Sequence, residues 1–161
     1  MSRRPLDAPA TEYEIIDKPA LPIIQELVDY WEKKRAGRMA PSRAEIDPAE
    51  LKAHLPHIHL IDVIDGGADF RYRLVGTSIV QGLGRDNTGK RVSELYGDRP
   101  EVCARIIARF ALVVTEKRPI FSRGRIWWMP DRNFRGLAGG SVPLSDDGVN
   151  VNIILSELFV I

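Results

Sequence analysis

Apolar residues along this chain recur in two rhythms. Between positions 21 and 35, LPIIQELVDYWEKKR, Ile24, Leu27, Val28 and Trp31 fall at i, i+3, i+4 and i+7. That spacing places them on one face of a helix. Lys33, Lys34 and Arg35 stand in its last turn, where cations suit the helix dipole, and Gly37 stops it. A second helix is predicted over 100–116, PEVCARIIARFALVVTE, with Val102, Ile106, Phe110, Val113 and Val114 as its buried stripe. Pro100 and Glu101 suit its first turn.

The other rhythm has a period of two. HIHLIDVID reads as a strand ending at the turn Asp65-Gly66-Gly67. In DFRYRLVG, Phe70, Tyr72 and Leu74 point one way, and Arg71, Arg73 and Val75 the other. The two glycines between these runs favour an antiparallel hairpin. Asp47-Pro48-Ala49-Glu50 starts a short helix that Pro56 limits, and VSELYG supplies another helical turn. Three strand-like runs, 120–129, 134–144 and 149–161, close the chain, with turns at Pro130-Asp131 and Ser145-Asp146-Asp147-Gly148. The order predicts an α+β fold: a five-stranded antiparallel sheet with helices on one face, plus an N-terminal flanking helix. Residues 1–18, polar and carrying two prolines, read as a loose leader, and 19–161 as a single domain.

Composition narrows the function classes. With 161 residues, 44% apolar and 28% charged, the chain suits one soluble domain. A net charge of +1 argues against bulk attraction to nucleic acid or anionic lipid. The single cysteine, Cys103, makes no internal disulfide and sits in a helical pattern as a small apolar residue. The N-terminus has no signal-peptide core, and the longest apolar stretch, IIARFALVV, is interrupted by Arg109. The expected location is the cytoplasm.

GRDNTGK, residues 84–90, has the glycine spacing of a phosphate-cradling loop. The context argues against one. The preceding strand ends at Gly76, TSIVQGLG intervenes, and position 91 is Arg where a Ser or Thr would hold magnesium. Gly82, Gly84 and Gly89 instead read as the points where short helical turns change direction.

FRYRLVGTSIVQGLGRDNTGKRVSEL resembles the centre of a PAS domain: a strand, a glycine, a short apolar helix, then Gly84, Gly89 and Lys90 leading into a small helix. The Trp31 helix and PSRAEIDPAELKAHLPHIHLIDV are similar to a group of small stand-alone alphaproteobacterial PAS proteins, and the resemblance spans about residues 20–161. It implies a sensory or interaction module that binds a small ligand or a protein partner and signals through association. No cofactor is implied. The cysteine run of flavin photoreceptors of this fold is missing, and His54, His57 and His59 all precede the region where haem sensors place an axial His. His57 and His59 would share one strand face as a metal pair, but no third ligand is placed to complete it, so no metal site is assigned.

A pocket between sheet and long helix would be lined by Tyr72, Leu74, Ile107, Phe110, Ile126 and Trp128. Leu27 and Trp31 on the first helix are the expected contact of a homodimer. The alternative is a small cone-shaped α+β enzyme, isomerase- or dehydratase-like. A buried Asp or Glu with a raised pKa in the pocket would mark it, and no such residue stands out on the core-facing positions. No catalytic residue is assigned.

Overall fold

The computed structural model describes residues 13–132 and 135–161. Its strands are β1 (Tyr13–Ile16), β2 (Ile58–Ile64), β3 (Asp69–Val75), β4 (Ile120–Arg125), β5 (Gly136–Leu144) and β6 (Ile153–Val160). Its α-helices are α1 (Pro22–Arg35), α2 (Thr77–Leu83), α3 (Val92–Tyr96) and α4 (Pro100–Glu116). The strands form one antiparallel sheet in the order β1-β4-β5-β6-β2-β3. The α+β class holds, and the sheet has six strands rather than five. The extra one comes from the expected leader: Tyr13–Ile16 pairs with β4, from Tyr13↔Gly124 to Ile16↔Phe121. Residues 1–12 of that leader lie outside the described residues.

The sheet is covered on both faces. On one face α1 packs Leu27 and Trp31 against Ile58, Leu60, Val142, Leu144, Ile153 and Leu155. Trp31 Nε1 donates to the carbonyl of Pro143 at 2.7 Å, so the indole is satisfied as well as buried. Leu27 is 1% exposed and Trp31 3%, so both side chains expected at a dimer contact lie in the chain's own core. These side chains are spent on the chain's own sheet and offer no surface to a second copy. On the other face, α3 and α4 close over Ile61, Phe70, Tyr72 and Ile154, while α2 packs Ile79 and Leu83 on Ile126, Leu137 and Leu158.

Local chemistry sets the element ends. Pro22 opens α1, and left-handed Ala36 (φ 49°) and Gly37 (φ 80°) close it. Pro100 opens α4, and Lys117 caps it in the same left-handed region. Asp47 Oδ1 accepts from the amide of Ala49 ahead of a single 3₁₀ turn, Pro48–Leu51.

The GRDNTGK segment is a strap, not a phosphate loop. Gly84 (φ 80°) ends α2, and Asp86 Oδ1 accepts from both the amide and the hydroxyl of Thr88. The amide of Gly89 then donates to Tyr72 O, and the amide of Tyr72 to Lys90 O. The strap thereby occupies the outer edge of β3, which would otherwise stand open to strand addition. On α4, the Cys103 thiol is pushed up by burial, then by Asp69, away from a reactive thiolate.

Strand β3 does not alternate as its sequence predicts. The ladder with β2 shifts between Leu60 and Ile61, which pair with Leu74 and Tyr72, so Arg73 is the extra residue of a bulge. Phe70 and Tyr72 face α4, but Leu74 turns to the α1 face.

Gly76 follows β3, and its amide donates to Ile58 O at 2.7 Å. A Cβ there would collide with the backbone carbonyls of Pro56 and Leu55. Backbone cannot swing aside as a side-chain tip can. Gly76→Ala should therefore cost about 1–3 kcal/mol of unfolding free energy, seen as a lower urea midpoint at unchanged slope. Wild-type stability in this variant would contradict the close packing of the 55–58 turn on the end of β3.

Candidate functional site

A cavity of about 100 Å³ lies between α4 and the sheet. Its helical wall is Ile106, Arg109, Phe110 and Val113, spaced i, i+3, i+4 and i+7 on the inward face of α4. Its floor is a row across four strands. His59 of β2 lies opposite Ser156 of β6, Ser156 opposite Ser141 of β5, and Ser141 opposite Ile120 of β4. Directly paired residues share a face, so these side chains all meet the cavity. Leu83, Asn87 and Tyr96 close one end, Ser122 and Ile15 extend the floor, and Trp127 and Trp128 come in from the segment after β4.

The polar groups of this row are neutral. Ser141 Oγ and Ser156 Oγ share a hydrogen bond of 2.9 Å. His59 is 7% exposed, and burial holds its imidazole down to about 4, so it carries no charge at neutral pH. Its ring leans on Tyr72 at 5.2 Å and makes no hydrogen bond to a described residue. It therefore presents one donor and one acceptor nitrogen to whatever fills the space beside it.

Glu157 also borders the cavity, one residue along β6. Its partners in register are Ile58 and Gly140, and a Cβ on Gly140 would meet Ile24 of α1 at 2.5 Å. The Glu157 side chain thus leaves through the α1 face, away from the cavity. There it is fully buried, with Oε2 at 2.6 Å from His54 Nδ1 and Oε1 without a partner. Burial first, and then Glu26 of α1, push its carboxyl up to about 8. Burial lowers His54, against the pull of Glu26. At neutral pH the pair keeps one proton between Oε2 and Nδ1.

Three of the six pocket residues expected from the sequence, Tyr72, Phe110 and Trp128, line the cavity. Leu74 does not: the β3 bulge turns it out, 44% exposed, into an apolar groove with Leu55, Pro56, Leu60 and Leu155. Ile126 is fully buried among Ile79, Leu137 and Leu158, and Ile107 packs half-buried in the α4 layer. Neither borders the cavity. His57 does not share a strand face with His59. It stands in a 3₁₀ turn before β2 and stacks on Phe159 at 4.1 Å.

The residues missed by sequence reasoning are chiefly His59, Arg109, Ser141 and Ser156. Arg109 had a legible signal, because it interrupts the apolar stripe of α4 at a stripe position. The serines had none, since their meeting depends on three strands distant in sequence.

The family model of the PAS domain matches residues 21–124. The chain belongs to the PAS domain family. The matched span runs from α1 into β4 and carries His59, Tyr72, Arg109 and Phe110, while Ser141 and Ser156 fall beyond it. No curated protein and no solved structure matches the chain. PAS domains are generally sensory or interaction modules and not enzymes. No helix among the described residues is long and apolar enough to cross a membrane.

The Glu157–His54 pair gives this PAS domain a signed pH dependence. A carboxyl raised from 4.5 to about 8 makes the native state hold a proton that the unfolded chain has released. Stability therefore falls as pH rises through that window. His54 and His59, both lowered from 6.5, act in the opposite sense, an effect that fades as the unfolded imidazoles lose their protons around and just above 6.5. Between pH 6.5 and 8 the Glu157 slope outweighs what remains of theirs. Wild type should lose roughly 1–2 kcal/mol across this interval, and Glu157→Gln should flatten the loss. Chemical unfolding at several pH values measures it, and a flat wild-type profile would mean the pair shares no proton.

Proposed function

We propose that this PAS domain is a sensory module that binds a small molecule in the cavity between α4 and the sheet, and relays occupancy by association. The observation that carries this reading is the cavity itself. It joins aromatic walls to a buried polar row whose imidazole makes no hydrogen bond to a described residue. Apolar surface with a few convergent polar groups is the usual make-up of a small-molecule site.

The enzyme alternative depends on an acid or base in the pocket. A buried carboxyl with a raised pKa exists, but Glu157 spends it on His54 on the far side of the sheet. His59, which does meet the cavity, has no carboxylate of a described residue bonded to it to orient or strengthen it as a base. Binding is thus better supported than turnover. Association with a second copy or a protein partner would use surface other than Leu27 and Trp31, such as the outer side of α1 with Gln25, Asp29, Glu32 and Lys33. A cytoplasmic setting fits the lone free cysteine.

Native mass spectrometry of the protein purified from several lysates tests the binding reading. A small molecule should travel with wild type and be lost from Phe110→Trp, whose larger ring fills the space under α4. Bare protein from every source would count against it.

A further inference from the structure

Two buried polar side chains on the cavity wall make no hydrogen bond to any described residue: His59 of β2, 7% exposed, and Asn87 of the strap, 6% exposed. A polar group taken out of water without a partner loses its hydration and regains nothing. An apolar residue would be cheaper at either position, so each group calls for a partner. Tyr72 brings the two together. Its amide donates to Lys90 O and its carbonyl accepts from the Gly89 amide, which fixes the strap, and the His59 ring leans on its ring at 5.2 Å. The other polar groups around the cavity are engaged. Ser141 Oγ and Ser156 Oγ bond to each other at 2.9 Å, and Ser156 Oγ reaches Gly140 O at 3.4 Å. Tyr72, Arg109 and Ser122 each interact within the chain, and Glu157 is turned to His54 on the opposite face.

Resting on the binding reading above, we propose that the ligand is a small uncharged ring with an amide edge, a neighbouring N–H and C=O, held by the Asn87 carboxamide and the His59 imidazole. A carboxamide carries a donor NH₂ beside an acceptor oxygen, which meets such an edge with two parallel hydrogen bonds. The imidazole adds one donor and one acceptor, and its tautomer follows the ligand because neither nitrogen is bonded to a described residue. Burial keeps that ring neutral, so neither group asks for a charged partner. Phe110, Trp127 and Trp128 take the faces of a flat ring by stacked or edge contacts. Size agrees: about 100 Å³ is of the order of the ~150 Å³ space that holds one benzene ring, and leaves no room for a large fused-ring cofactor.

The test compares 2-pyridone and uracil with N-methyl-2-pyridone and 1,3-dimethyluracil, whose N–H is blocked, and with toluene, a flat ring without a polar edge. Benzoate serves as the anion. Binding is followed by calorimetry and by quenching of tryptophan fluorescence, since Trp127 and Trp128 border the site. At least one free amide should bind about tenfold or more tightly than its methylated form and than toluene, the worth of one buried hydrogen bond. In Asn87→Leu, and separately in His59→Leu, that preference should shrink while toluene binding stays. Equal binding of the free amides, their methylated forms and toluene to wild type would overturn the amide edge and leave the small-molecule site standing. Tighter binding of benzoate than of either free amide would overturn the uncharged ligand with the same consequence. A preference that survives both variants would overturn the assignment to Asn87 and His59. No binding of any probe at roughly millimolar concentration, together with bare protein in the native mass measurement, would overturn both readings and leave the two side chains to water. The wild-type comparison decides the ligand's chemistry even if neither variant folds.

Discussion

Strand β6 is the constraint on which the rest of this structure depends. It is hydrogen-bonded on both sides, to β5 and β2, and covered on both faces, by α1 and by α4. Successive side chains must go to opposite layers. Ser156 therefore meets His59 and Ser141 under α4, while Glu157 is committed to His54 under α1. A slip of one residue in this register would put the carboxyl in the cavity and bury the serine beneath α1. The buried carboxyl opposes such freedom, because its Oε2 finds a hydrogen-bond partner at the 54–57 turn.

The edges of the sheet are handled differently from its centre. On one side the short strand β1 pairs along β4. On the other, the glycine-turned strap from Gly84 to Lys90 lies along β3 and bonds to both backbone groups of Tyr72. That same strap delivers Asn87 to the cavity. Closing an exposed edge and lining the cavity are thus one structural act here. The glycines serve it by permitting backbone turns that a side chain would strain.

Charge is distributed between the two layers in a way that suits a binding module. The α4 layer holds a permanent cation, neutral hydroxyls and an imidazole kept uncharged by burial. The α1 layer holds the proton-sharing carboxyl–imidazole pair. The two sites are adjacent along one strand yet chemically separate, since the sheet stands between them. The PAS domain match, residues 21–124, spans both layers, from α1 to the start of β4.

The order of elements, the α+β class, the two long helices and the strap were legible in the sequence. Each is set by local chemistry: an apolar stripe of period 3.6, prolines at first helical turns, glycines where φ turns positive. Tyr72, Phe110 and Trp128 were legible as pocket residues for the same reason. What only the tertiary structure decided was which face each strand residue meets. Leu74 left the pocket because a single bulge at Arg73 reversed its parity, and nothing within DFRYRLVG announces a bulge. Tyr13–Ile16 became a strand because β4 offered an unpaired edge, and Leu27 and Trp31 became core because the sheet offered a second apolar face. His59, Ser141 and Ser156 came together through pairing between strands far apart in the chain, a long-range choice of register that a local pattern does not encode.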